Sequence, residues 1–124
     1  MSGTVIAPWL AVPDAGLAAE FYAAALGATE LYRLDGDDGS LVLAQLDAGG
    51  APFWIQADPA SSPPAPGRSP VRMVLRVDDP DRWFDRAVEA GATPVAGIHE
   101  EHGWRTGRVH DPFGHDWEFS RPTA

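Results

Sequence analysis

Glu118 lies in a stretch whose side chains alternate in character. From His115 to Ser120, Trp117 and Phe119 are large and apolar while Asp116, Glu118 and Ser120 are polar. A strand with that period of two presents a carboxylate on the face opposite its aromatic residues. A carboxylate so placed can accept a proton as a general base, ligate a cation or pair with a guanidinium. Four histidines accompany it. His99-Glu-Glu-His102 has metal-binding residue types, but at a spacing of i and i+3 in an expected turn it reads first as a solvated loop. His110 and His115 flank Asp111-Pro-Phe-Gly114, and both read as structural, with His115 holding the hairpin by a hydrogen bond. That tetrapeptide has the chemistry of a tight turn. No Ser-His-Asp arrangement, Gly-rich phosphate loop or H-E-x-x-H helix is present.

The elements that must position these groups follow from periodicity. Thr4 to Val12 reads as a strand. Asp14 is an N-cap, Leu17, Phe21 and Ala25 recur at helical spacing with Ala18 and Tyr22, and Gly27 closes that helix. Strands follow at 28–34, 40–46 and 52–57, separated by turns at 35–39 and 49–50. Residues 58–70 hold five of the twelve prolines and read as a solvated linker. The pattern then restarts: a strand at 71–77, a helix capped by Asp79 with Pro80 at its first position and Trp83, Phe84, Ala87 and Val88 on its apolar face, Gly91 as its stop, and strands at 94–99, 103–110 and 115–120.

Leu10-Ala-Val-Pro-Asp14 answers Leu75-Arg-Val-Asp-Asp79, and Gly27-Ala-Thr29 answers Gly91-Ala-Thr93, at offsets of 65 and 64 residues. An internal repeat of βαβββ units is the economical reading. One helix per unit covers one sheet face, so two such sheets are expected to curve round a cavity.

Composition bounds the partners. A chain of 124 residues with 44% hydrophobic and 22% charged content suits one globular domain. The net charge of −9 argues against nucleic acid and anionic membrane. All nine basic residues are Arg, and eight lie after residue 62. No apolar run is long enough to span a bilayer and no leader pattern opens the chain, so a cytoplasmic location is expected. The absence of cysteine excludes disulfides, thiolate ligands and cysteine nucleophiles.

The duplicated βαβββ order, Val12-Pro-Asp14 leading to Glu20-Phe-Tyr22 and Leu26-Gly27, and Gly107-Arg-Val-His-Asp-Pro-Phe-Gly-His-Asp-Trp-Glu118 together resemble the vicinal oxygen chelate superfamily of glyoxalases, bleomycin-resistance proteins and extradiol dioxygenases, within it the PhnB-like branch. The resemblance implies an α+β fold of two tandem βαβββ modules, about 1–57 and 71–124 around the 58–70 linker, in one domain whose curved mixed sheets enclose a cavity. It also implies a homodimer, with cavities built within one chain or shared between two.

Carried onto this chain, the superfamily's metal-ligand positions fall at Ala7, Gln56, Arg72 and Glu118. Only Glu118 is an anionic donor; Ala7 offers nothing, Gln56 a weak carbonyl, and Arg72 repels a cation. Asp58 is the one possible substitute on the Gln56 strand. No metal and no other cofactor is therefore expected. The register places Ala7, Trp9, Ala11, Trp54, Gln56, Arg72, Val74, Arg76, Asp116, Glu118 and Ser120 toward the cavity. Pro8, Leu10, Val12, Phe53, Ile55, Met73, Leu75, Val77, Trp117 and Phe119 fall under the helices.

Arg72 and Glu118 then read as a cross-strand ion pair, or as a ligand site in which Arg72 holds an anion and Glu118 acts as acceptor or base. The expected function is metal-independent binding of a planar or aromatic small molecule between Trp9, Trp54 and Trp104, with Gln56, Arg72 and Glu118 setting polarity and His102, Trp104 and Arg105 forming a lid. The alternative is a lyase, isomerase or dioxygenase using a divalent metal or Glu118 as its base.

Overall fold

A computed structural model describes residues 3–62 and 64–123. The chain runs β1 (Trp9–Val12), α1 (Ala15–Leu26), β2 (Thr29–Asp35), β3 (Leu41–Ala48), β4 (Ala51–Ala57), β5 (Arg72–Arg76), α2 (Pro80–Ala90), β6 (Thr93–Glu101), β7 (Trp104–His110) and β8 (Asp116–Pro122). Two separate four-stranded mixed sheets result, ordered β1-β4-β3-β2 and β5-β8-β7-β6. In each, the first and last strands of a βαβββ unit pair in parallel, Leu10 with Ile55 and Leu75 with Phe119. The α+β class and the duplicated unit are those read from the sequence.

Local chemistry explains the elements. The Asp14 carboxylate accepts from Leu17 N, and Gly27 ends α1 at φ 63°, a left-handed conformation that glycine adopts without penalty. Asp79 caps α2 in the same way, with Pro80 in its first turn. Arg86 of α2 reaches across to α1, donating from Nε to Ala24 O (2.8 Å) and from Nη2 to Ala23 O (3.4 Å). A cation thereby sits where the last carbonyls of α1 lack helical partners.

Three expectations change. β1 begins at Trp9, so Thr4 to Pro8 lies outside regular structure, although Pro8 O still accepts from Trp54 N. Leu17 lies on the outer side of α1 and is 57% exposed; the helix instead buries Ala15, Ala18, Tyr22, Ala25 and Leu26. The 99–102 segment is strand and hairpin rather than loop: β6 extends to Glu101, which pairs with Trp104, and His102 and Gly103 turn the chain with φ of 51° and 83°. Two consecutive positive φ values suit the right-handed twist of the flanking strands. The 58–70 segment carries no helix or strand among its described residues, Pro63 lying outside them.

The core sits between the two sheets. Phe53 of the first sheet and Trp117 of the second lie 5.2 Å apart between ring centroids, with Tyr22 of α1 5.3 and 5.6 Å from them. Asp111, 1% exposed, fastens this cluster. Its Oδ2 accepts from Tyr22 Oη (2.5 Å) and Trp117 Nε1 (2.9 Å), and its Oδ1 from the amides of Phe113 (2.8 Å) and His115 (3.0 Å). His115 holds the hairpin through its backbone, its carbonyl also accepting from Asp111 N at 2.8 Å, while its side chain crosses between modules and donates from Nε2 to Ala11 O at 2.8 Å. His110 adds a side-chain contact across the same hairpin, its Nδ1 meeting Asp116 Oδ1 at 2.6 Å.

Candidate functional site

Alternation along the strands sorts the side chains as expected for the buried face. Leu10, Val12, Phe53, Ile55, Met73, Trp117 and Phe119 are all buried. Because Phe53 and Trp117 touch, the helix-bearing faces of the two sheets meet each other. The opposite faces, which carry the chemistry, therefore point away from one another. Within one chain the sheets do not close round a shared hollow, and Trp9 and Trp54 stand on a different face from Trp104.

The first-module face is aromatic. Trp9 and Trp54 are aligned in the β1–β4 register and stack at 5.6 Å with 25° between planes, and Tyr32 of β2 adds an edge contact at 6.1 Å. Trp9 Nε1 donates to Gln56 Oε1 at 2.8 Å, which fixes the indole and occupies the amide oxygen. Trp9 remains 54% and Tyr32 46% exposed. This is an open platform for a flat ring.

The second-module face is polar and forms a cavity of about 380 Å3 lined by Arg72, His99, Glu101, His102, Trp104, Thr106, Arg108 and Glu118, among others. Arg72 Nε lies 3.4 Å from Glu118 Oε1, diagonally across β5 and β8. Arg108 stands directly opposite Glu118 on β7, so the carboxylate has a guanidinium-bearing residue on each side. Arg76 sits 5.8 Å over the Trp104 ring. His99 Nδ1 donates to Gly97 O at 2.7 Å, and its Nε2 lies 3.4 Å from Glu101 Oε1. The Gly97 carbonyl first, and Glu101 second, raise its pKa above the ordinary histidine value.

Of the residues read from the sequence, Arg72, His102, Trp104 and Glu118 come together here, and Trp9, Trp54 and Gln56 assemble on the other module. Arg105 joins neither group. As the neighbour of Trp104 in a strand it points to the helix side, where it grips Asp81 of α2 through two 2.7 Å contacts and Glu100 through one of 3.0 Å. The Asp81 hydrogen bond is the first cause of its raised pKa. Asp116 and Ser120 share the Glu118 face but are buried, Asp116 by His110 and by Ser69 N at 3.3 Å. Thr106 and Arg108 were not singled out from the sequence, yet they follow from running the Trp104 alternation along β7.

The donor set does not fit a divalent ion. Ala7 has no donor, Gln56 Oε1 is engaged by Trp9, and the Arg72 guanidinium lies against Glu118. Among the described residues, no group of three or more His, Asp and Glu side chains converges. No helix of the described residues is long and apolar enough to cross a membrane.

Comparison with known proteins agrees with this architecture. An uncharacterized protein of Mycobacterium bovis is 38% identical over 125 residues, spanning 94% of this chain and 82% of its own length. The crystal structure of TioX from Micromonospora sp. ML1 superposes with a TM-score of 0.78 at 29% identity, covering 97% of this chain and 99% of TioX. The fosfomycin resistance protein FosX from Listeria monocytogenes shares the fold, with a TM-score of 0.75 at 17% identity over 99% and 96% of the two chains. The model of the Glyoxalase/Bleomycin resistance protein/Dioxygenase superfamily matches residues 4–119, and the chain belongs to that superfamily.

Proposed function

We propose that this protein binds a planar or aromatic small molecule without a metal, in the manner of a resistance or carrier protein, on the PhnB-like side of its superfamily. The observation that carries the reading is the Arg72–Glu118 contact of 3.4 Å, which places a cation where metal-dependent relatives would need a donor. The exposed indole stack of Trp9 and Trp54 supplies the apolar half of a binding site. The polar half, with Trp104, Arg72 and Glu118, lies on the other module and faces away from it in the same chain. The reading therefore includes a homodimer in which the first-module face of one copy closes over the second-module face of the other. Exposed apolar residues on both faces, Trp9, Tyr32 and Leu34 on one and Val74 and Trp104 on the other, support such closure.

The test is a tryptophan-fluorescence titration against a panel of aromatic antibiotics and metabolites, combined with light scattering. Saturable quenching by at least one compound and a particle of twice the chain mass are expected. A monomer that responds to no compound would sink the reading.

A further inference from the structure

The polar face of the second module contains an imbalance that aromatic binding alone does not use. Glu118 is engaged by Arg72 at 3.4 Å and Glu101 by His99 at 3.4 Å. Arg108 lines the same cavity, and among the described residues it makes neither an ion pair nor a side-chain hydrogen bond. Two residues along β7, on the same face, Thr106 is 7% exposed and its Oγ1 is buried without a hydrogen-bond partner among the described residues. A buried hydroxyl without a partner is uncommon and costs stability unless a ligand or solvent completes it. Two residues further on, the Trp104 ring lies open at the rim, 40% exposed.

Alternate residues on one strand face are roughly 7 Å apart. Trp104, Thr106 and Arg108 thus form a graded row: ring, hydroxyl donor, guanidinium. An arginine fork matches an oxyanion with two parallel N–H donors, and the hydroxyl can donate a third hydrogen bond. Each carboxylate of the cavity already has a basic neighbour, Glu118 between Arg72 and Arg108 and Glu101 beside His99. On a chain of net charge −9, a cavity lined by two arginines and two glutamates is locally balanced, and its Arg108 lies outside the ion pairs made by the described residues.

We infer that the second-module cavity is an anion subsite formed by Arg108 and Thr106, and that the ligand class is a small aromatic acid whose oxyanion rests on these two residues while its ring lies against Trp104. This deepens the proposed binding function and rests on it.

The experiment uses benzoate as the probe and benzamide as its neutral counterpart. Both are titrated at low ionic strength while the Trp104 indole N–H resonance, assigned by its loss in Trp104→Phe, is followed. Benzoate is expected to shift that resonance and to bind about tenfold more tightly than benzamide, the scale of one hydrogen bond to a charged group. Arg108→Gln and Thr106→Val should each weaken benzoate binding by about tenfold and leave benzamide unchanged. Arg105→Gln, on the opposite face of the same strand, should change neither. Thr106→Val should also leave the thermal midpoint unlowered, because its hydroxyl has no partner to lose. Equal binding of the two probes, or benzoate binding indifferent to Arg108→Gln and Thr106→Val, overturns the anion subsite while the aromatic reading stands. No response to either probe overturns both.

Discussion

Replacing Asp111 by Asn should be among the most damaging isosteric changes in the chain. The carboxylate is 1% exposed and accepts four hydrogen bonds, two at each oxygen. An amide can accept at only one of those positions. With its nitrogen toward Phe113 and His115, two backbone amides lose their acceptor. With its nitrogen toward Tyr22 and Trp117, the tyrosine hydroxyl can rotate to accept, but the indole N–H cannot. The second orientation is the cheaper one: it orphans one buried donor and weakens the remaining contacts, at a cost of about 2–3 kcal/mol. Asp111→Ala abandons all four donors and should cost roughly 4 kcal/mol or more, a large part of the roughly 5–15 kcal/mol that stabilises a domain. Tyr22→Phe removes one donor and leaves the carboxylate three, costing about 1.5–2 kcal/mol. Urea unfolding followed by tryptophan fluorescence measures all three, provided the slope with denaturant is unchanged. An Asp111→Asn variant within about 0.5 kcal/mol of the parent, or one more stable than Tyr22→Phe, would refute the reasoning.

Burial first, and the Asp111 charge second, push the Tyr22 hydroxyl well above its ordinary value of 10.0. The unfolded chain releases that proton near the ordinary value while the folded chain keeps it. Its contribution is therefore complete below about pH 10 and is lost as pH rises beyond it; Tyr22→Phe should flatten the alkaline limb of a stability–pH curve. A Cβ at Gly107 would lie 2.7 Å from Ile98 Cδ1 and 3.0 Å from Phe84 Cδ2, so Gly107→Ala should cost about 1–3 kcal/mol by overpacking β7 against α2, read in the same urea assay. Arg86→Ala removes the cation that holds the last carbonyls of α1 and should lower the thermal midpoint by about 3 °C, the equivalent of about 1 kcal/mol. Arg86→Lys should recover only part of that, because an ammonium cannot reproduce the fork.

The architecture was largely legible because each element announces itself locally. Asp14 and Asp79 cap their helices, Gly27 takes the positive φ expected of a helix stop, and the period-two pattern in β4 and β8 buries Phe53, Ile55, Trp117 and Phe119. The repeat also announced two sheets. It could not announce which faces of those sheets would meet, since a one-dimensional repeat is the same whether the modules join front to front or back to back. The Phe53–Trp117 contact at 5.2 Å settles that within the chain.

The site was legible in part. Arg72 beside Glu118, Trp9 beside Trp54, and Trp104 on the Glu118 face all follow from register. Arg105 does not share their fate because it and Trp104 are neighbours in one strand, β7, and so point to opposite faces, an alternation that the strand expected at 103–110 already implies. Thr106 and Arg108 fall on the cavity face by the same alternation, two and four residues along β7 from Trp104. Asp111 was hidden for a different reason. Asp is a common turn residue whatever its surroundings, and nothing local shows that Tyr22, far earlier in the chain, will reach it.

The proposed binding takes place in the cavity without a metal. Elemental analysis of protein purified without chelator, on the same sample used for the benzoate titration, tests it most directly. Saturable binding with far less than one equivalent of Ni, Zn, Mn or Fe per chain is the predicted result, and a stoichiometric metal whose removal abolishes binding would contradict it.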